Sequence, residues 1–198
     1  MAEARDEALL LQKSKEGDTK AFEELISVYQ KKILNMAYRM LGDKDDAEDA
    51  AQDVFIRVYK SLASFHAEAA FSTWLYKIAT NVCLDILRRK KRQNAKGTVS
   101  IHQFSQEDEE YEMPIADNAP TPYEEAQKSE AKRALEAALS KLGPEQRAVI
   151  VLRDINGLSY EEIAEAQGCT LGTIKSRINR SRLMLRKLLE KDKELFLS

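Results

Sequence analysis

Apolar residues recur along this chain at the spacing of a helix, and no stretch alternates convincingly as a strand would. Phe22, Ile26, Tyr29, Ile33, Met36, Ala37 and Met40 fall three or four residues apart. That period puts them on one stripe and predicts a long amphipathic helix that stops at Gly42. Ala47, Ala51, Val54, Phe55, Val58 and Leu62 mark a second helix, starting near Asp45. A short loop, roughly Ala63 to Ala70, leads into a third over Phe71 to Arg92, where Leu75, Ile78, Ala79, Val82 and Ile86 share a face. A short helix ending near Gly17 precedes all of these. Gly17, Gly42, Gly97, Gly143, Gly157 and Gly168 fall at apparent helix ends, where glycine tolerates the left-handed conformation. The pattern predicts an all-α fold.

The periodicity fails from about Asn94 to Tyr123, where three of the four prolines lie (Pro114, Pro120, Pro122). Residues 104–126 hold eight acids and no Lys or Arg. This reads as a flexible acidic linker over 96–123, between helical domains at 1–95 and 124–198. Residues 166–189 reverse the charge, with six cations and no acid. Net charge is only −2, so this segregation says more about partners than the total does.

Composition removes several function classes. Hydrophobic residues are 43% and charged residues 32%, which suits a soluble, helix-rich globular protein. Cys83 and Cys169 sit far apart in helical patterns, so a reducing compartment is expected and a disulfide is not. Two histidines and two cysteines lack metal-ligand spacing. Asp43, Asp45, Asp46, Glu48 and Asp49 lack the glycine and distal Glu of an EF-hand loop, and read as a solvated helix N-terminus. No metal or cofactor is expected. No apolar run reaches membrane-spanning length, and MAEARDEALL is too charged for a signal peptide, so a cytoplasmic protein is expected.

Two segments carry candidate chemistry. On the helix Phe71–Arg92, Trp74, Lys77, Asn81 and Arg88 line a face beside the apolar stripe, and five consecutive cations, Arg88 to Arg92, follow. Cations suit duplex phosphates, and aromatics with an amide suit unstacked bases. Core aromatics with a solvated basic end would give the same string. The second segment spans residues 159–186. Ser159 and Glu162 form a capping box. Ala164, Gly168 and Ile174 keep the spacing of a helix-turn-helix, and Thr170 is placed to cap its second helix. On that helix Leu171, Ile174, Ile178 and Leu185 share one face. Lys175, Ser176, Asn179 and Arg180 lie on the other, with side chains able to read base edges and hold phosphates.

Taken together, nearly the whole chain resembles bacterial RNA polymerase sigma factors of the extracytoplasmic-function group. DTKAFEELISVYQ, AYRMLGDKDDAEDAAQDVFIRVYKSLASF and FSTWLYKIATNVCLDILRRKKR resemble region 2 of that family, and LSKLGPEQRAVIVLRDINGLSYEEIAEAQGCTLGTIKSRINRSR resembles region 4. The resemblance implies that Asp49, Gln52 and Asp53 grip the β′ clamp helices of core polymerase, with the β flap as a further contact. It implies that Asn81 helps read a flipped −10 base, in a pocket formed by the loop around Phe65 and supported by Phe71 and Trp74. Lys77, Arg88 and Arg89 would join the −10 contacts. Lys175, Ser176, Asn179 and Arg180 would read the −35 element, with Arg177 and Arg182 on phosphates. In the family the linker threads the RNA exit path, where carboxylates would imitate RNA phosphates; a plain solubilising tether fits this sequence equally. Relatives are commonly restrained by an anti-sigma factor, often membrane-anchored.

The resulting expectation is a non-enzymatic factor that recruits polymerase to promoters and promotes melting, and that binds duplex weakly when free. A free-standing helix-turn-helix regulator is the rival; it explains residues 159–186 but leaves Phe71–Arg92 without a purpose, and it requires palindromic half-sites. An enzyme built on the acids near Asp49 lacks a nucleophile or ligand set.

Overall fold

A computed structural model describes residues 2–66, 70–95 and 122–196. Most of the expected acidic linker, and Gly97 with it, lies outside the described residues. Within them there is no strand. Four helices form the N-terminal module: α1 (Ala2–Lys15), α2 (Thr19–Leu41), α3 (Lys44–Ser61) and α4 (Phe71–Ala95). The C-terminal module contains α5 (Pro122–Ser140), α6 (Pro144–Ile150), α7 (Tyr160–Gln167) and α8 (Leu171–Leu188). A π-helical turn, Val151–Ile155, continues α6, and a 3-10 segment, Glu190–Phe196, follows α8.

Local chemistry sets the ends. Asp18 caps α2 by accepting from the Lys20 and Ala21 amides. Gly42 closes it at φ 76°, a left-handed conformation that a Cβ disfavours. Asp43 then caps α3, accepting from the Asp46 amide at 2.9 Å. Asp46 itself pairs with Lys90 of α4. Thus members of the acid cluster at 43–49 serve as a helix cap and an interhelical ion pair. Gly143 opens α6 in extended conformation ahead of Pro144, and does not close α5.

The expected stripes are the ones buried. Leu25, Ile33, Met36 and Met40 of α2 meet Ala47, Val54 and Val58 of α3 and Leu75, Ala79 and Val82 of α4. Each large aliphatic buried this way contributes about 1.5–3 kcal/mol. Helix α4 departs from the expectation of one apolar stripe: Thr73, Tyr76, Thr80 and Cys83 are buried too. The C-terminal module packs on this helix: α7 lies against α4, Thr73 bonds to Glu162, and Tyr76 bonds to Asn156. One continuous apolar core therefore runs from α2 and α4 to Ile163, Ile174 and Ile178. Polar contacts cross the same boundary. Thr73 Oγ1 donates to Glu162 Oε1 at 3.1 Å, and Arg147 Nη1 donates to the Met40 carbonyl at 2.6 Å. The two modules are closed on one another.

Candidate nucleic-acid interface

The helix-turn-helix is built from caps. Ser159 Oγ accepts from the Glu162 amide at 3.1 Å, while Glu162 Oε2 accepts from the Ser159 amide at 2.7 Å. These bonds to Ser159 hold the Glu162 carboxyl below the usual Glu range, and the Thr73 hydroxyl adds to the effect. Gly168 ends α7 at φ 61°, and the Cys169 amide returns to the Ala164 carbonyl at 3.0 Å. Thr170 starts α8 by accepting from the Thr173 amide. The turn is thereby fixed within a few residues, and α8 leaves it with Ile174 and Ile178 turned into the core.

The opposite face of α8 is exposed, and it carries Lys175, Ser176, Asn179 and Arg180 together. Arg180 Nη2 reaches Ser176 Oγ at 3.4 Å. The flanking arginines are engaged with acceptors. Arg177 Nη1 donates to Gln167 Oε1 at 2.7 Å and to Glu145 Oε2 at 3.3 Å. Arg182 forms a fork with Asp154, its Nε at 3.1 Å from Oδ2, and this hydrogen bonding raises its pKa. Ser181 was not anticipated: it is fully buried on the apolar side of α8, in register with Ile174, Ile178 and Leu185.

On α4, Lys77, Asn81, Arg88 and Arg89 are all exposed. Arg88 bridges Asp85 at 3.4 Å and Glu145 at 2.9 Å. Phe65 is only 5% exposed, with its ring 4.9 Å from Trp74 and 5.9 Å from Phe71. Lys15 Nζ caps the Phe65 carbonyl at 2.5 Å and stands over its ring. Phe65 is therefore part of an aromatic floor, and Phe71 and Trp74 are its other members. Residues 67–69 of the neighbouring loop lie outside the described residues.

A third exposed face lies on α3. Asp49 and Gln52 are exposed, and Asp53 pairs with Arg57 at 2.8 Å. Ile56 and Tyr59 continue the same stripe and are 51% and 48% exposed. Sequence reasoning missed these two apolar residues. The signal was present, because both fall outside the Val54–Val58 stripe, with Ile56 one turn and Tyr59 about two turns beyond Gln52 and Asp53. This face thus combines carboxylates with two exposed apolar side chains.

Two helical modules, one presenting a polar basic helix and the other a helix-turn-helix with an exposed reading face, define a two-module DNA-binding protein. Residues 25–93 match the family model for Sigma-70 region 2, and residues 132–185 match that for Sigma-70 region 4. The chain is 38% identical over 180 residues to the ECF RNA polymerase sigma factor SigW of Bacillus subtilis, covering 88% of this chain and 92% of the relative. It is 35% identical over 186 residues to the ECF RNA polymerase sigma-E factor of Haemophilus influenzae, covering 93% and 96%. Among solved structures, CnrH in complex with the cytosolic domain of CnrY aligns with a TM-score of 0.67 at 26% identity, over 94% of this chain and 99% of that one. The sigma factor RpoE of Bartonella quintana, in complex with the anti-sigma factor NepR, aligns with a TM-score of 0.64 at 26% identity, over 86% and 98%. The chain belongs to the ECF group of RNA polymerase sigma factors. It directs RNA polymerase to promoters and is not itself an enzyme. Because both modules match, the free-standing regulator is set aside.

Proposed function

We propose that the exposed faces divide the work of promoter recognition. The α3 stripe of Asp49, Gln52 and Asp53, extended by Ile56 and Tyr59, docks on the β′ clamp helices of core polymerase, and the C-terminal module meets the β flap. Carboxylates and an amide suit arginine-rich helices, and the apolar pair supplies contact area. Asn81 reads a flipped −10 base above the floor of Phe65, Phe71 and Trp74, while Lys77, Arg88 and Arg89 hold nearby phosphates. Lys175, Ser176, Asn179 and Arg180 read the −35 duplex, and Arg177 and Arg182 hold its backbone. Melting in this scheme is binding: the protein stabilises an extruded base, and polymerase does the chemistry. The protein works in the cytoplasm, beside polymerase. The solved relatives in complex with CnrY and with NepR support an anti-sigma partner for this chain as well.

The observation that carries this reading is the presence, on one chain, of two exposed polar helix faces backed by buried stripes. The −10 and −35 elements are separate stretches of one duplex, which rises about 3.4 Å for each base pair between them. Helix α4, of 25 residues, is only about 38 Å long and lies directly against α7. In this scheme, reading both elements at once draws the modules apart, with core polymerase holding each one. Co-purification with core polymerase tests the docking face. Asp53→Arg is expected to abolish assembly and Asn81→Ala to leave it intact; assembly that survives Asp53→Arg removes the α3 assignment.

A further inference from the structure

Glu145, in the first turn of α6, sits between the two faces read above as DNA-facing. One carboxylate oxygen accepts from Arg88 Nη2 of α4 at 2.9 Å, and the other from Arg177 Nη1 of α8 at 3.3 Å. A single anion thus engages one guanidinium from each module. Two guanidiniums converging on paired oxygens is also how arginines grip a phosphate. The remaining polar neighbours are Asp85, 3.4 Å from Arg88, and Gln167, 2.7 Å from Arg177.

Stability does not explain this arrangement. The side chains of Glu145 and Arg88 are 42% and 54% exposed, and ion pairs that open to solvent contribute little to a fold. Closure rests instead on the shared apolar core, with Arg147, Thr73 and Tyr76 bonding across it. What the Glu145 bridge does is occupy one guanidinium from each module.

We propose that Glu145 is an internal phosphate mimic, which holds Arg88 and Arg177 in the closed chain and lowers the affinity of the free protein for duplex DNA. The proposal rests on the reading of these two arginines as backbone contacts. Glu145 and Arg177 belong to the same module, whereas Arg88 belongs to the other. Separation of the modules on polymerase therefore strips Arg88 from the bridge first. The arginine beside the melting point becomes available only in the assembled state.

Fluorescence anisotropy with a random-sequence 30-base-pair duplex, titrated with the full-length chain between about 50 and 200 mM salt, tests this. Glu145→Gln preserves shape and removes the charge. It is expected to tighten binding several-fold at the low-salt end and to steepen the log K against log salt slope by up to about 1.8, the value for two released phosphate contacts. Adding Glu145→Gln to an Arg88→Gln/Arg177→Gln chain is expected to change nothing. If Glu145→Gln matches wild type while the double arginine variant binds more weakly, the mimic is wrong and the arginine contacts stand. If the gain persists without the arginines, general charge loss explains it and the proposal falls. If the triple variant binds as tightly as Glu145→Gln alone, the arginines do not touch DNA, and the underlying reading fails with the proposal.

Discussion

Arg147 shows how one side chain can join two modules. Its guanidinium is buried and donates to the carbonyls of Met40 and Ser140, each at 2.6 Å. Those carbonyls belong to the last turns of α2 and α5, where helix dipoles are negative. Burial lowers the pKa of the group, so the bonds offset a real desolvation cost. Arg147→Met, which fills similar space without donors, is expected to cost about 2–4 kcal/mol in urea unfolding. The cysteines give a second test. Burial pushes the Cys83 thiol up to about 12 and leaves it 1% exposed, whereas Cys169 is half-buried at the helix-turn-helix turn. A thiol reagent at neutral pH is expected to label one cysteine, Cys169, quickly, and Cys83 only as fast as the protein opens. Rapid labelling of both would mean that the α4–α7 boundary is loose. Asn81→Ala is expected to lower transcription from −10-dependent promoters about tenfold, the size of one lost base contact, with polymerase binding unchanged.

At the scale of elements, the turn between α7 and α8 carries the most concentrated local chemistry. Ser159→Ala is expected to cost about 1 kcal/mol as a lost cap. Glu162 adds pH dependence. Its folded pKa lies below the ordinary value of 4.5, so its contribution is full above that value and is lost as pH falls through the depressed one. Denaturation midpoints followed from pH 7 to acid are expected to fall less steeply for Glu162→Gln than for wild type in that window. These features were legible in the sequence because they are local: a cap, its partner three residues on, a glycine and a second cap. The end of α2 was legible for the same reason, through Gly42, whereas the caps Asp18 and Asp43 went unread. The second buried face of α4 was not. Nothing around Thr73, Tyr76 and Thr80 announces that the C-terminal module, far along the chain, will pack against this helix. Periodicity reports that a face is apolar, and a Thr–Tyr–Thr face is read as half-exposed until its partner is known.

The closed arrangement of the modules appears only at the scale of the whole molecule. Sequence pattern singled out Lys77, Asn81, Lys175, Ser176, Asn179 and Arg180, and all six are exposed. Pattern could not show that Arg88 and Arg177, on helices from different modules, share Glu145, because that contact depends on how two separately folded layers meet. The closed chain keeps the two proposed reading faces in water while α4 and α7 hold the modules together. On the proposed division of work, closure, more than burial of these faces, is what restrains the free protein. A donor–acceptor dye pair on α3 and α8 is expected to show a short distance in the free chain and a long one with core polymerase. The most direct test of the central claim is run-off transcription by core polymerase on a promoter library, with and without the full-length chain. New transcripts that start downstream of one shared −10 and −35 pair are expected, as is their loss with Asp53→Arg. Transcripts no different from those of core polymerase alone would contradict it.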